Sequence, residues 1–519
     1  MPFWQTIKQW FSKAGENANM QAALELTKIT DHPKIRIDPK EYIRINENMK
    51  YYANIYPDIQ YKNSYGQDKR RPFNPLNLTK TAARRLASII FNEKCEIVLN
   101  SVDGQETDEK KLVEANEFLQ FVLIDNNFFN LLELNLEKGI ALGGFAMRPY
   151  IDSKGKIKIS WIRADQFYPL QSNTNAISEC AIATKKTITM GNKQYYYTLL
   201  EFHEWENEDY IIENELYKSE NSEIIGKRVP LAEIYDDLAD TVKLTGLQRP
   251  LFVYFKTPGA NNKSLESPLG IGIVDNSKEI LDQINLTHDQ FSWEIQMGQR
   301  RVIVPAEWLR VDENDHAHPM MFDTEQNILM GMYGDSDRFG GIKDVTTAIR
   351  TVQYKDAIDH WIKEFEVQIG MSTGSMSYAD DGLKTATEVV SDNSMTYQTR
   401  SSYLTMVEKA LDELIHAIFE LAGYKELFPN KKPLFILDDG TYQVSVHFND
   451  GLFVDKDKQL DEDLKVSLAG MMPKKEFLKR NFGLSDESAE EWLTALKEEQ
   501  QEEKTPVNQQ EDALLSSGD

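Results

Sequence analysis

Cysteine is almost absent from this chain, which has only Cys95 and Cys180 among its 519 residues. So few cysteines exclude both a disulfide framework and a zinc site built from thiolates. Long apolar runs are also missing, since no stretch approaches the roughly 20 apolar residues that a membrane-spanning helix requires. The amino terminus lacks a signal-peptide pattern as well. We therefore expect a protein made in the cytoplasm that does not enter a membrane.

Positive charge is scarce too, because 58 basic residues face 83 acidic ones and the formal net charge is −25. Tight binding to a phosphate backbone depends on Lys and Arg, which release the condensed counterions. Any nucleic acid that this protein handles should therefore slide past its surface without being gripped. Part of the acidity lies at the carboxyl terminus, where residues 481–519 hold 11 acidic and 2 basic residues. We predict that 501–519 is a disordered acidic tail.

Strong catalytic motifs are absent as well. The sequence contains neither a GxxxxGKS/T phosphate-binding loop nor a GxSxG nucleophile motif. LGIG at 269–272 lacks the preceding strand and the third glycine of a dinucleotide site, so we interpret it as the entry to a helix. His316 and His318 lie near Asp312 and Asp315, where a metal site is an open alternative to solvated loop histidines. The sequence therefore predicts neither an enzyme nor a cofactor.

Two stretches with apolar residues at helical spacing are separated by about fifty residues. The first, 268–299, has Ser267 at the expected N-cap and Pro268 at the first helical position. At about 1.5 Å per residue it should be roughly 45 Å long. The second covers 352–369. The apolar stripes are Ile280, Ile284, Phe291 and Ile295 in the first, and Ile358, Trp361, Phe365 and Ile369 in the second.

A third helical stretch is predicted to begin with a capping box, Thr385 to Glu388, and to continue to residue 424. Its apolar stripe consists of Leu404, Val407, Leu411, Leu414, Ile418 and Leu421. Followed backward in the same phase, the stripe meets Arg400, Tyr397 and Asn393. We therefore expect this helix to leave its apolar environment about halfway along.

The remaining chain combines helical and extended patterns. Helices are predicted in two parts of 41–94, joined by the polar stretch 62–74, and again in 109–140 and 455–500. From 141 to about 255 the apolar period changes to two, with hairpin turns near Gly155 and Gly191. A further hairpin is predicted around Asp439-Gly440. An antiparallel sheet that interrupts helical sequence indicates the α+β class.

Three other segments have distinct patterns. The residues between the first two helices open with a strand at 301–304 and should project as a small module. The segment 371–382, MSTGSMSYADDG, joins the second and third helices, and its small polar side chains without an apolar anchor predict an exposed, mobile loop. Residues 3–11 predict an amphipathic helix, for which docking on protein is favoured over a membrane interface.

Three runs of sequence resemble the portal proteins of tailed bacteriophages, of the siphovirus type found in phages of Gram-positive bacteria. They are LNLTKTAARRLASIIFNE at 76–93, SPLGIGIVDNSKEILDQINLTHDQFSWEIQMGQRRVIV at 267–304 and TGSMSYADDGLKTATEVVSDNSMTYQTR at 373–400. The resemblance covers about 40–500 and includes the order helix, insertion, helix, loop, helix. It implies a ring of subunits, usually twelve, at one capsid vertex, which conducts DNA during packaging and ejection.

The resemblance also implies a portal-type division of the chain. An amino-terminal amphipathic segment (1–40) would precede an α/β wing (41–266), two stem helices (267–299 and 351–372) with a small α/β clip inserted between them (300–350), a tunnel loop (373–384), a long wing helix with a wing hairpin (385–455), a helical crown (456–500) and the acidic tail (501–519).

Site residues and partners are likewise implied by the resemblance. The residues nearest the DNA would be those of the tunnel loop: Thr373, Gly374, Ser375, Met376, Ser377 and Lys384. Arg300 and Arg301, at the junction of stem and clip, face either DNA or a neighbouring subunit, and we slightly favour salt bridges between subunits. The implied partners are further copies of the chain, the terminase large subunit, a head-completion or adaptor protein, scaffolding and major capsid proteins, and double-stranded DNA. The implied location is the portal vertex of the virion, with the host cytoplasm during assembly.

Two other functions stay open from the sequence. A capsid- or scaffold-binding protein without a ring would be a monomer or dimer at high concentration and would lack a channel. A metal-dependent nucleic-acid enzyme would use the aspartates and histidines at 312–318 and would require Mg²⁺ or Mn²⁺.

Overall fold

The computed structural model describes residues 25–63, 65–91, 95–102, 109–172, 176–236, 238–298, 302–305, 330–332, 343–344, 346–377, 394–448, 456–470, 472–482, 488–490 and 492–496. The chain divides into two compact units, residues 1–383 with 391–449 and residues 384–390 with 450–519. The first unit mixes helices with largely antiparallel sheets, which confirms the predicted α+β class.

The helices of the first unit, as far as it is described, are α1 (Pro39–Tyr52), α2 (Leu78–Ile90), α3 (Glu109–Asp125), α4 (Phe128–Leu142), α5 (Lys278–Met297), α6 (Thr351–Gln368) and α7 (Ser394–Gly423). Local sequence explains several of their ends. The Asp38 carboxylate accepts a hydrogen bond from the Lys40 amide at 2.9 Å and caps α1, whose first turn contains Pro39. Gly143, with a φ of 103°, ends α4 in the left-handed conformation that favours glycine.

The strands of the first unit are β1 (Glu25–Leu26), β2 (Ile59–Lys62), β3 (Asp68–Arg71), β4 (Glu96–Ser101), β5 (Gly144–Ile151), β6 (Ile157–Arg163), β7 (Phe167–Ser172), β8 (Ile177–Met190), β9 (Lys193–Glu206), β10 (Asp209–Ser219), β11 (Gly226–Val229), β12 (Thr241–Thr245), β13 (Val253–Lys256), β14 (Val302–Pro305), β15 (Met330–Met332), β16 (Lys343–Asp344) and β17 (Tyr442–His447). The largest sheet has the order β1-β11-β10-β9-β8-β7, and β12 also pairs with β10. Smaller sheets have the orders β13-β5-β6, β15-β14-β16, β17-β4 and β2-β3.

The main apolar core contains side chains from α2, α4 and α7 together with strands β5, β6 and the middle of the large sheet. Leu86, Ile140, Phe145, Phe202 and Leu414 are among its fully buried members. The predicted stripe of α7 is confirmed from residue 407 onward, since Val407, Leu411, Leu414, Ile418 and Leu421 are all buried. This core fixes the carboxyl-terminal half of α7 in the unit.

The predicted β region between 141 and 255 is confirmed, including the turns before β6 and between β8 and β9. Two other predictions for extended or connecting segments differ from the structure. The polar stretch 62–74 contributes to a hairpin of its own, β2–β3. The predicted hairpin around Asp439-Gly440 is wrong, because β17 pairs along its whole length with β4, from Tyr442 opposite Ser101 to His447 opposite Glu96. An extended segment pairs with whichever free strand the fold brings beside it, and sequence spacing does not reveal that partner.

The first long helix begins about ten residues later than predicted. Residues 268–272 are irregular, 273–277 form turns, and α5 starts at Lys278, so that its 20 residues span roughly 30 Å. A tertiary contact holds this segment, in which the Ile273 amide donates to the Ile140 carbonyl at 3.0 Å, and a local one adds to it, in which the Gly272 amide donates to the Asp275 carboxylate at 2.6 Å. The Ser267 hydroxyl caps no helix and donates instead to Glu41 at 3.0 Å.

LGIG at 269–272 is therefore not a helix entry. A Cβ atom on Gly272 would collide with the carbonyl oxygen of Ala141, and one on Gly143 would collide with that of Gly270. These glycines allow two backbone segments to pack directly on each other. The close approach connects the end of α4 to the residues that lead into α5.

The third helix, α7, also differs from its prediction. It is described from Ser394 onward, so the capping box at 385–388 and Asn393 lie outside the described residues. The amino-terminal half does not leave the protein interior, because Thr396, Arg400 and Tyr403 are buried, while Tyr397 is half exposed. The Arg400 guanidinium donates to the Ile89 carbonyl at 2.6 Å. In the amino-terminal half of α7 the buried face is thus polar and hydrogen-bonded, and it continues the apolar face of the carboxyl-terminal half.

The insertion between α5 and α6 contains a small sheet, in which β14 pairs parallel with β15 and antiparallel with β16. The predicted strand at 301–304 is confirmed with a shift of one residue. The aspartates and histidines at 312–318 lie outside the described residues, as do the amphipathic segment 3–11 and the tail 501–519. Within the described ranges, no group of three or more His, Cys, Asp or Glu side chains is arranged to hold a metal ion.

The second unit contains the helices α8 (Lys456–Leu468) and α9 (Lys474–Phe482), in agreement with the helical prediction for 455–500. The Asn481 amide donates to the Asp463 carboxylate at 3.1 Å and connects the two helices. None of the helices in the described parts of the chain is long and apolar enough to cross a membrane.

Candidate functional site

Helices α5 and α6 form an antiparallel pair that carries the small β14–β16 sheet at one end. Near the other end, Ile284 and Phe365 are fully buried in a cluster that also includes Tyr51 and Ala82. Towards the insertion, Phe291 stacks on Tyr354 with ring centroids 5.2 Å apart. Near Ile284 and Phe365 the helical pair is thus packed against the rest of the unit. Towards the insertion, the two helices are held together by contacts between their own side chains.

An ion pair closes the outer end of this helical pair. The Arg350 guanidinium contacts both carboxylate oxygens of Glu294, with the shortest distance 2.6 Å, and the Arg350 amide donates to the same carboxylate at 2.9 Å. These hydrogen bonds from Arg350 lower the pKa of Glu294 to about 2. Glu294 therefore stays ionised at any physiological pH.

The β2–β3 hairpin, which the sequence did not predict, clamps the middle of α5. Arg71 donates through two nitrogens to the two oxygens of Asp289, at 2.7 and 2.6 Å, and Asp289 is 1% exposed. The Asn74 amide donates to the same carboxylate at 3.0 Å. Burial alone would raise the pKa of Asp289, but the hydrogen bonds from Arg71 and the Asn74 amide, together with the positive charge of Arg71, outweigh it and lower the pKa. This arrangement fixes the rotation of α5 against the unit.

Helix α6 ends in a Schellman motif at Gly370. The Gly370 amide donates to the Val367 carbonyl at 3.1 Å and the Met371 amide to the Glu366 carbonyl at 2.8 Å, which is the bond pattern of that motif. Gly370 has a φ of 76°, and a Cβ there would collide with the Thr399 hydroxyl of α7. Met371 is 1% exposed and anchors the chain directly after the turn.

The Glu366 side chain holds the next residues in place. Its carboxylate is fully buried and accepts hydrogen bonds from the amides of Gly374, at 3.0 Å, Met376 and Ser377, at 2.9 Å. The Ser377 hydroxyl donates to it as well, at 2.8 Å. Backbone N–H groups that converge on one carboxylate form an anion nest, here occupied by the protein itself. Residues 371–377, which we name the Glu366 turn, are therefore tied to the end of α6.

A second connection joins the Glu366 turn to α7. The Ser372 amide donates to the Thr396 hydroxyl at 2.8 Å, and the Thr396 amide donates to the Ser372 hydroxyl at 3.3 Å. Both residues are buried. The turn is thus fixed to both helices that it connects.

These contacts correct the prediction of a loop without anchors. Thr373 and Gly374 are exposed, Ser375 and Met376 are half-buried, and Ser377 is buried. Met376 packs against the apolar core. Lys384, Arg300 and Arg301 lie outside the described residues. Sequence reasoning missed Glu366, because a charged residue beside Phe365 in a helix is ordinarily solvated and periodicity does not show that its carboxylate is buried.

Comparisons with known proteins identify the group to which this architecture belongs. A family model described as phage portal protein, SPP1 Gp6-like, matches residues 31–502. Among solved structures, the chain is similar to one in the neck of a native GTA particle computed with C12 symmetry, with 9% sequence identity and a TM-score of 0.42, over 85% of this chain and 92% of that chain. No curated protein matches. Because the family model spans most of its length, this chain belongs to the SPP1 Gp6-like phage portal proteins.

Proposed function

We propose that this portal protein assembles into a ring of about twelve subunits at one capsid vertex and serves as the conduit for DNA during packaging and ejection. The observation that carries the proposal is the match of the portal family model to residues 31–502. We further propose that the ring is the docking site for the terminase large subunit and later for a head-completion or adaptor protein. Scaffolding and major capsid proteins are the proposed neighbours during assembly in the host cytoplasm.

The proposed parts of the subunit follow the helical pair α5/α6. These helices are the proposed stem, and the insertion 300–350 is the proposed clip. The α+β region 41–266, with α7 and β17, is the proposed wing, and the second unit contains the proposed crown, 456–500. The Glu366 turn begins the proposed tunnel loop, 373–384, which we place closest to the DNA.

Exposed apolar side chains on the helical pair support assembly with further copies. Leu286 is 42% exposed, Ile295 47%, Val352 65% and Val367 48%. Contiguous apolar surface commonly marks an interface between proteins, and we propose that Ile295 and Val352, near the same end of the pair, belong to such a surface. In a ring, each stem lies between two neighbouring stems, which would cover these side chains.

The charge of the helical pair supports a channel that does not grip its cargo. Helix α5 contains four acidic residues and one basic residue, and α6 contains four acidic and two basic residues. A phosphate backbone binds tightly only where cations replace its counterions. We propose that a stem of this composition lets DNA pass. For Arg300 and Arg301 we favour salt bridges between subunits over contact with DNA.

Native mass spectrometry with negative-stain imaging of the purified protein tests the ring. We expect a closed ring of about a dozen copies with an open axial channel. The double variant Ile295→Glu with Val352→Glu should lose the ring but keep its far-ultraviolet circular dichroism. Leu265→Glu, at a loop side chain that is 81% exposed, is the matched control and should keep the ring. A stable closed dimer of the unaltered chain would instead favour a capsid- or scaffold-binding protein without a channel.

A deletion tests the proposed tunnel loop. Because Gly374 to Ser377 satisfy the buried Glu366, a deletion that includes them would disturb the end of α6. Removing only residues 378–380 avoids this problem. We expect the shortened protein to form rings and to fail in DNA packaging. Loss of the ring would show that the segment is an interface between subunits and would refute its assignment to the channel.

A further inference from the structure

A cavity of about 330 Å³ lies in the first unit, away from the helical pair α5/α6. Its walls come from the start of β8, the segment that leads into β13, and the middle of α7. Phe252, Tyr254 and Pro250 provide apolar surface, while Arg249, Lys256 and Lys409 contribute cations. The volume is at the lower end of the range for ligand pockets, and it accommodates one or two amino-acid side chains.

The charge of this cavity is opposite to that of the whole chain. Three of its lining residues are basic and one, Glu413, is acidic, in a protein of net charge −25. Arg249 pairs with Asp439 at 3.1 Å, and Lys409 lies 3.9 Å from Glu413. Two of the three cations therefore have carboxylate partners within the chain.

Lys256 differs from the other two cations. It is half-buried, and no carboxylate in the described parts of the chain lies within ion-pair distance of its ammonium group. The charged group that acts on it is the neighbouring Lys409, and burial together with this like charge lowers the pKa of Lys256. Partial burial of an ammonium group without a counter-ion is unfavourable. An anion entering the cavity would remove this disadvantage.

The shape of the cavity decides which anion fits. A nucleic-acid backbone gains affinity from many cations arranged along its path, whereas these three line one volume of about 330 Å³. The carboxylate of an acidic side chain fits into such a volume, and an adjacent apolar side chain can contact the aromatic residues that line it. We propose that this cavity binds an acidic segment of a partner protein, with a carboxylate beside Lys256 and Lys409 and an apolar side chain against Phe252. This proposal does not depend on the ring or on the channel.

Fluorescence anisotropy with a defined probe tests the site. The probe is a fluorescein-labelled peptide in which one leucine is flanked on each side by two glutamates, measured at low salt against the full chain. Lys256→Gln should weaken its binding roughly tenfold, as expected when one charged hydrogen bond is lost. Lys185→Gln removes the same charge from an exposed position of β8 outside the cavity and should leave binding unchanged. The same peptide with glutamines in place of glutamates should not bind.

A second measurement keeps the proposal testable if the peptide binds weakly. Acetylation of surface amines, followed by mass spectrometry, should show that the glutamate peptide protects Lys256 and does not protect Lys185. Lys256→Met, which retains most of the length of the side chain, should unfold at the same temperature as the unaltered protein or at a higher one, so that lost binding reflects the charge. Equal binding by the Lys256→Gln variant would overturn the proposal, as would displacement of the peptide by a short DNA duplex. A change of oligomeric state in Lys256→Gln without peptide binding by the unaltered protein would instead assign the cavity to a second copy of the chain.

Discussion

Replacing Glu366 should release the Glu366 turn from α6. The carboxylate accepts hydrogen bonds from the amides of Gly374, Met376 and Ser377 and from the Ser377 hydroxyl, and it is fully buried. In Glu366→Ala the Met376 and Ser377 amides and the Ser377 hydroxyl lose this acceptor, while the Gly374 amide keeps a second one, the Ser377 hydroxyl at 2.9 Å. The change therefore tests whether residues 371–377 are held by this one side chain.

The free-energy cost of the substitution depends on how many of these donors remain inaccessible to water. Gly374 is exposed, so its amide can bind water after the substitution, whereas Ser377 is buried. A buried donor without a partner costs about 1–3 kcal/mol, and two such donors remain, the amide and the hydroxyl of Ser377. Part of this cost is offset, because the substitution also removes a buried carboxylate that has no cation partner among the residues that the structure describes. We expect local opening of the turn to become easier by about 3 kcal/mol in Glu366→Ala and by about 1 kcal/mol in Glu366→Gln, which retains an acceptor oxygen.

Hydrogen–deuterium exchange of the peptide that contains 371–377 is the direct assay. A loss of 3 kcal/mol corresponds to roughly 100-fold faster exchange if the amides exchange through local opening. Glu364→Ala removes the same charge from an exposed position of α6 and should leave the exchange unchanged. If Glu366→Ala exchanged at the rate of the unaltered protein, the turn would be stabilised by something other than this carboxylate. The description of the turn as anchored would then be wrong.

Two further outcomes are expected from the helical pair. Phe365→Ala should lower the free energy of unfolding by about 3–5 kcal/mol, since this side chain is fully buried between α1, α2 and α5. Trp361→Ala should lower it less, because Trp361 is half-buried. A denaturant titration that ranked the two variants in the opposite order would contradict this packing. Glu294 has its pKa lowered from 4.5 to about 2, so the stabilisation that it shares with Arg350 is complete above pH 4.5 and is lost as the pH falls towards 2. The difference in thermal unfolding temperature between the unaltered protein and Arg350→Gln should therefore shrink over this pH range, and a constant difference would refute the ion pair.

Elements with long, regular patterns were predictable from the sequence. Helix α6 lies at Thr351–Gln368, against a prediction of 352–369, because its apolar residues and its glycine stop both follow from local sequence. The hairpin of β8 and β9 was predictable because the turn between them contains Gly191-Asn192, although burial in these strands comes in runs, at 180–183 and 197–200, and does not alternate. Local rules suffice where the local preference and the tertiary environment agree.

Features that depend on distant partners were not predictable. Ser267 and Pro268 have the composition of a helix start, but the residues after them bind α4 through close backbone contacts and do not become helical until Lys278. Strand β17 pairs with β4, which lies more than three hundred positions earlier in the chain. Arg400 interrupts the apolar stripe of α7 and is nevertheless buried, because the Ile89 carbonyl accepts its hydrogen bond. In each case the partner is supplied by tertiary structure.

Helix α7 connects the two regions to which we assign function. Thr396, in its first turn, is hydrogen-bonded to the Glu366 turn, and Lys409 and Glu413, about three turns later, line the cavity of 330 Å³. Between them Tyr403 and Val407 are buried, so this part of the helix is packed along its length and does not bend independently. A partner that occupied the cavity would therefore affect the proposed tunnel loop only by moving α7 as a rigid body. Such a movement requires the Ser372–Thr396 hydrogen bonds to break or the Glu366 turn to move with the helix. Hydrogen–deuterium exchange of this turn would therefore detect coupling between partner binding at the cavity and the proposed channel.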